Sequence, residues 1–168
     1  MGVLDVTQAG SADTEVVAGI LVAAAQDLIQ KGQMLWHVNS VSAQAIETDV
    51  RAGRYWLAHD AGRPIGVFRY ETCDPVFWPE VTDGRSVFLH KVAVHPRARG
   101  RDMAQHLLAF ACKLARANGL RDVRLDCVSG RPKLRSVYER FGFRYHSPWQ
   151  VGTLQVDRLV FPLVSPEG

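Results

Sequence analysis

Apolar residues recur along this chain with two different periods, and the changes of period mark its elements. Residues 14–30, "TEVVAGILVAAAQDLIQ", are rich in alanine and leucine and read as a helix, with Asp13 as N-cap and Gly32 just past the end. Residues 42–51 form a second helical candidate, closed by Gly53. The period then shortens to two. "RYWLAHD" (54–60) and "PIGVFRYE" (64–71) read as strands joined by a hairpin turn at "AGR". "SVFLHKVAV" (86–94) is the strongest strand signal, dense in β-branched and aromatic residues. From 103 to 118 the period lengthens again: Met103, Leu107, Phe110, Ala111 and Leu114 share a helical face, and Gly119 ends it. "DVRLDCV" (122–128) predicts a strand and residues 134–141 a short helix closed by Gly142; "FRYH" and "TLQVDRLVFPL" predict closing strands. A short first strand is expected at residues 3–6. The order, roughly β-α-α-β-β-β-α-β-α-β-β, predicts an α/β chain: a mixed sheet with helices on its faces. The strand–helix–strand unit across 86–128 should be a right-handed parallel crossover.

At 168 residues the chain is expected to form a single domain, residues 1–168, with a core that needs no staples. A net charge of +3 argues against nucleic-acid binding by bulk charge but permits a local basic site for an anion. Three cysteines, Cys73, Cys112 and Cys127, show no C-x-x-C spacing, which argues against a disulfide framework or a zinc site and fits a reducing cytoplasm. The N-terminus lacks the basic and apolar regions of a signal peptide, and the longest apolar stretch, 16–25, is too short to span a bilayer. No membrane partner is therefore expected.

Charge and backbone freedom converge at "VAVHPRARGRDMAQHLL", where an apolar strand ends and a helix begins. The first amides of a helix lack internal partners, and the helix dipole adds partial positive charge there. A phosphate suits such an end. Gly100 allows close backbone approach, and Arg97, Arg99 and Arg101 add charge. Neither a Walker loop nor G-x-G-x-x-G is present. On these grounds alone the stretch is either a pyrophosphate site or a solvated basic turn. A nucleic-acid interface is not expected, because the following helix adds only Lys113 and Arg116.

"AVHPRARGRDMAQHLL" resembles the acetyl-CoA signature of the GCN5-related N-acetyltransferase (GNAT) family, with Arg99, Gly100, Arg101, Met103 and Ala104 in register. Asp102 replaces the glycine usual in the middle: it either weakens the coenzyme site or complements the helix dipole. "LDCVSGRPKLRSVYERFGF" is similar to the family's later motif, through Tyr138, Glu139, Gly142 and Phe143; Arg131 stands where many members carry Asn. The resemblance covers about residues 55–143. It implies the acyl-CoA N-acyltransferase fold, a central mixed but mostly antiparallel sheet flanked by helices. It also implies an N-acetyltransferase with acetyl-CoA as co-substrate and no metal. Val92, Ala93 and Val94, with Arg99 to Ala104 including Asp102, and Arg131 and Lys133, are the implied coenzyme contacts. The alternative is a GNAT-like module that holds acyl-CoA with little or no turnover, motivated by Asp102, Arg131 and Phe88.

Acetyl transfer to an amine needs a carbonyl donor, a base and an acid for the leaving thiolate. The resemblance implies that the pantetheine arm lies along Val92–Val94 and that an amide near Val92 polarises the thioester. It also makes Tyr138 the candidate acid, since a phenol carries its proton at neutral pH. For the base, residues two apart share a strand face, so Phe88, His90, Val92 and Val94 should point one way. Relatives often carry Glu at the place of Phe88; His90 lies one step along the same face, and imidazole suits a base near pH 7. Glu71 or Asp74, acting through water, is the fallback. Cys127 invites a covalent route, but nothing in the sequence flanks it as a base.

For the acceptor, "ETCDPVFWPEVTD" carries four acids, no base, and the aromatic pair Phe77 and Trp78. Acids with an aromatic face suit an ammonium group; a solvated loop with a core tryptophan is the plainer reading. Trp36, Glu71 and Trp78 are the candidate substrate contacts, and the expected partner is a small-molecule amine. The C-terminal edge strands leave a homodimer open.

Overall fold

The computed structural model describes residues 4–163. Seven strands and four α-helices follow one another as β1 (Asp5–Gln8), α1 (Thr14–Gln30), α2 (Ala43–Arg51), β2 (Tyr55–Asp60), β3 (Arg63–Glu71), β4 (Ser86–Val94), α3 (Met103–Ala117), β5 (Asp122–Val128), α4 (Pro132–Phe141), β6 (Arg144–Val151) and β7 (Leu154–Pro162). The strand order is β1-β2-β3-β4-β5-β7-β6. β4 and β5 are parallel, joined by α3 as the pattern required. The pairs β1–β2, β2–β3, β5–β7 and β6–β7 are antiparallel.

Two compact units share the chain. Among the described residues the first takes 4–69 and 91–107, the second 70–90 and 108–163, so β4 and α3 each contribute to both. In the first unit, α1 and α2 bury one face each against β2 and β3. Val17, Leu21, Ala24 and Ala25 recur at helical spacing and pack with Val41, Ile46, Val50, Tyr55, Leu57 and Val67. Each large apolar side chain buried in this way contributes about 1.5–3 kcal/mol. Ser42 sets the start of α2: its Oγ accepts the Ala45 N–H at 3.3 Å. The β2–β3 hairpin closes in two residues with Ala61 in the left-handed region at φ 49°.

In the second unit, Leu108, Ala111, Cys112 and Ala115 form the buried face of α3, and Val123, Leu125 and Cys127 that of β5. β5 alternates apolar and polar residues, so Asp122, Arg124 and Asp126 share its other face. β4 pairs with β5 only through Ser86–Phe88, whereas β5 stays paired with β7 as far as Val128. β6 has β7 as its sheet neighbour and tolerates Pro148 because it is an edge strand.

Some boundaries differ from the expected ones. β1 begins at Asp5 rather than Val3, which lies outside the described residues. α4 begins two residues early, at Pro132, whose missing N–H costs nothing at the first helical position. β6 runs to Val151, well beyond "FRYH", because pairing with β7 overrides the weak local signal.

Candidate active site

In the first unit, the end of β4 is fixed by the His95 N–H, which donates to Ile65 O at 2.8 Å. A 3-10 turn, Pro96–Ala98, follows, and His95 Nδ1 accepts the Arg97 N–H at 3.2 Å. That bond needs the neutral ring. Burial lowers the His95 pKa below its ordinary value, and Arg97 and Arg99 lower it further. Next come three consecutive left-handed residues, Gly100 (φ 93°), Arg101 (φ 52°) and Asp102 (φ 55°), before α3 starts. At Gly100 a Cβ would meet nothing within 4 Å, so the backbone angle rather than space selects glycine. A helix start leaves amides without internal partners, a setting suited to an anion, although the Met103 N–H already donates to Gly100 O at 3.3 Å. Asp102 O accepts the His106 N–H at 3.1 Å, which makes Asp102 the N-cap of α3.

The arginines of this loop divide. The Arg99 guanidinium is held by Asp27 of α1, so its side chain is committed within the protein rather than standing ready for a phosphate as expected. Arg101 is 62% exposed in its side chain and lies 3.7 Å from Asp60, a loose contact. Preceding the loop, Lys91 adopts φ 51°, an irregularity that interrupts the pleat of β4. The alternation that put Phe88, His90, Val92 and Val94 on one face therefore does not run through: Phe88 is buried at 1% exposure, Ala93 is buried, and His90, Val92 and Val94 are part-buried. Trp36 is part-buried against the first unit's core, with Lys91 Nζ 5.0 Å above its ring.

In the second unit, His90 sits between two carboxylates. Its Nε2 lies 2.9 Å from Asp74 Oδ2, and its Nδ1 lies 3.8 Å from Asp126 Oδ1. Asp74 Oδ2 is buried, and at 2.9 Å the His90 Nε2 is within hydrogen-bonding distance of it. The other oxygen, Oδ1, accepts the backbone N–H groups of Val76 at 3.2 Å and Phe77 at 2.9 Å. Burial pushes the Asp74 pKa up, but His90 and these amides outweigh it, and the carboxyl lies below its ordinary value. Asp74 is thus a fixed anion.

The loop that carries Asp74 is fastened by β6 and β7. Arg158 Nη1 donates to Phe77 O at 3.0 Å and lies 2.8 Å from Glu80, while Nε donates to Ser147 Oγ at 2.9 Å. Trp149 Nε1 donates to Val76 O at 3.0 Å. Trp78 is buried at 1% exposure, with the Arg124 and Arg158 guanidinium carbons 4.9 and 4.4 Å from its ring centre and Phe88 and His146 against it. It is a core residue, which corrects its expected place as a substrate-facing aromatic: burying so large a ring in the core outweighs presenting it to a ligand.

Tyr138 lies on α4, its ring edge-on to Phe143 at 6.0 Å. Its side chain is part-buried. Burial, with the nearby Cys127 and Asp126, pushes the phenol well above its ordinary value. Cys127 is itself pushed up to about 12 by burial and by Asp157 and Asp126, so no thiolate forms there at neutral pH and the covalent route has no nucleophile. Arg131 occupies the N-cap position of α4 without a side-chain cap, and Lys133 is exposed in its first turn. Glu71 is part-buried at the end of β3.

A family model described as the acetyltransferase (GNAT) family matches residues 22–143. The chain belongs to the GNAT acetyltransferase family. A curated relative, the uncharacterized N-acetyltransferase YesJ of Bacillus subtilis (strain 168), is 24% identical over 139 residues, covering 79% of this chain and 77% of that protein. Among solved structures, the putative acetyltransferase yncA of Salmonella typhimurium with acetyl-CoA superposes with a TM-score of 0.71 at 16% identity, covering 99% and 98% of the two chains. The aminoglycoside acetyltransferase AAC(6')-Ib in complex with coenzyme A and kanamycin superposes with a TM-score of 0.77 at 12% identity, covering 95% and 94%. The mixed, mostly antiparallel sheet of this GNAT chain is the fold of that family. Among the described residues no helix is long and apolar enough to cross a membrane.

Sequence reasoning brought the GNAT coenzyme loop and His90 forward but missed Asp126 and gave Asp74 only a fallback role.

Proposed function

We propose that the protein is an acetyl-CoA-dependent N-acetyltransferase that moves an acetyl group directly to a primary amine of a small molecule. The left-handed run Gly100-Arg101-Asp102 at the start of α3 is the observation that carries this reading, together with family membership. The Salmonella and aminoglycoside acetyltransferase structures, which hold acetyl-CoA and coenzyme A with kanamycin, support the donor and an amine acceptor.

In this reading the amides around Gly100, with Arg101, grip the diphosphate, while the Met103 N–H closes the loop on Gly100 O and the Arg99 guanidinium stays with Asp27. Val92, Ala93 and Val94 receive the pantetheine arm through their main chain, and the Val92 N–H polarises the thioester carbonyl. Arg131 and Lys133 add positive charge for the nucleotide end. His90 accepts the proton that the acceptor nitrogen loses. The nitrogen bonds to the carbonyl carbon, the carbon–sulfur bond breaks, and Tyr138 donates its proton to the departing sulfur. A phenol carries its proton across the neutral range. The three free cysteines fit a cytoplasmic setting.

Calorimetric titration with acetyl-CoA, followed by thiol release over a panel of aminoglycosides, polyamines and amino acid amides, tests the reading. Micromolar binding and release with at least one acceptor are expected. No affinity for coenzyme A or its acyl forms removes it. Binding without release over the whole panel replaces it with an acyl-CoA-binding module.

A further inference from the structure

We infer that Arg135 is a positioning residue for the transfer step: its guanidinium clasps the N-terminal half of α4 to β6 and β7, and the clasp sets where the Tyr138 hydroxyl stands. The inference rests on the acetyltransferase reading and adds a residue to it.

Ten residues long and with no fully buried side chain, α4 depends on its docking for stability. Two points fasten it to one face of the sheet. Alternate residues of β7, Asp157, Leu159 and Phe161, share a face. Phe161 takes the C-terminal end of the helix, its ring centre 5.1 Å from that of Phe141. Asp157 takes the other half: Arg135 Nη1 donates to Asp157 Oδ2 at 3.3 Å. The same guanidinium donates through Nε to Glu139, one turn on, and lies 4.6 Å from the ring centre of Tyr145 in β6. Asp157 Oδ1 accepts the Ser129 hydroxyl at 3.0 Å, so both carboxylate oxygens are engaged.

Asp157 stands directly opposite the buried Cys127 in the β5–β7 ladder, and its side chain is 18% exposed. An apolar pair at that place would hold the helix about as firmly. A planar guanidinium with two carboxylate partners and an aromatic ring beside it fixes the rotation of α4 as well as its distance. Tyr138 lies three residues on from Arg135, a neighbouring position on the helix surface. Any turn of α4 about its axis moves the phenol, and proton donation to the departing sulfur needs hydrogen-bond reach. A misplacement of about 1 Å costs up to about a hundredfold in rate.

A kinetic double-mutant cycle with Tyr138→Phe tests the inference. Arg135→Met keeps the stem and removes the fork. It should lower kcat about tenfold with KM and acetyl-CoA affinity within about twofold, and Arg135→Lys should fall between it and the parent chain. In the Tyr138→Phe background Arg135→Met should cost nothing further, because the group it positions is gone. A merely structural residue would lower turnover by the same factor in both backgrounds. That result, or full turnover in Arg135→Met, overturns the inference. Should Arg135→Met fail to fold, Arg135→Lys carries the same cycle. Amide exchange of the native chain, read by mass spectrometry, tests the clasp without substrate. The α4 peptide should exchange about tenfold faster in Arg135→Met and in Asp157→Asn, with the α3 peptide unchanged. Unaltered exchange in α4 overturns the clasp. A parent chain that releases no thiol with any acceptor instead removes the acetyltransferase reading, and the exchange rates still decide the clasp.

Discussion

The Arg99 guanidinium is clasped by the Asp27 carboxylate, seventy-two positions earlier in the chain, and Lys31 meets the same carboxylate at 3.0 Å. Lys31 first, and then Arg99, hold Asp27 below its ordinary pKa, so it is an anion at every working pH. Its charge opposes a diphosphate at the neighbouring loop. Asp27→Asn is therefore expected to tighten acetyl-CoA binding about two- to fivefold at low ionic strength, with the gain shrinking as salt rises. Titrations at two salt concentrations measure it. Weaker binding in the variant would show that Asp27 chiefly organises Arg99.

Tyr138→Phe keeps the ring and its edge contact with Phe143 but removes the proton. Turnover should fall about a hundredfold, while acetyl-CoA affinity stays within about twofold. Steady-state thiol release and calorimetry separate the two. Parallel loss of both would remove Tyr138 as the acid.

Asp122 gives the protein an acid-sensitive joint. It is 5% exposed and accepts hydrogen bonds from Arg124 at 3.0 and 3.1 Å and from Arg121 at 3.1 Å. Burial alone would raise its pKa, but Arg124, Ser86 and Arg121 bring it below the ordinary 3.8. Asp74 is lowered as well. The folded state thus takes up these protons less readily than the unfolded chain. The stabilisation is complete above the unfolded value and is lost as pH falls through the lower folded values. Thermal melts from about pH 6 down to about pH 2 should show a steep loss at the acid end. Asp122→Asn should flatten that limb and cost about 1–3 kcal/mol at neutral pH.

Thiol chemistry should single out one cysteine. Cys73 is exposed, whereas Cys112 and Cys127 are buried, with burial pushing their thiols up to about 11 and about 12. Brief maleimide treatment of the native protein at neutral pH, read by peptide mapping, should label Cys73 and spare the other two. Rapid native labelling of Cys127 would reopen the covalent route.

Gly142 ends α4 at φ 125°, and a Cβ there would lie 2.9 Å from Phe161 Cε2. Gly142→Ala should destabilise by about 2–3 kcal/mol, from backbone strain and the clash together. Phe161→Leu in the same chain should recover the clash component only, which a double-mutant cycle in urea isolates.

The period of apolar residues was enough to set α1 at Thr14–Gln30, β4 at Ser86–Val94 and β5 at Asp122–Val128, because one-sided burial imposes spacing that local sequence must obey. The arginine–glycine loop was legible for a related reason: a helix start with left-handed backbone leaves its mark in residue type. The run to Val151 in β6 was not legible, since it comes from pairing with β7. Nor was the direction of side chains beyond His90, because the left-handed Lys91 breaks an alternation that sequence treats as unbroken. The fate of charged and aromatic groups was likewise decided in space. Trp78 went to the core between two arginines, Arg99 to Asp27, and Asp74 and Asp126 to the two nitrogens of one imidazole. Periodicity is a property of neighbours along the chain; electrostatic partnership depends on which distant segments the fold brings within a few ångströms.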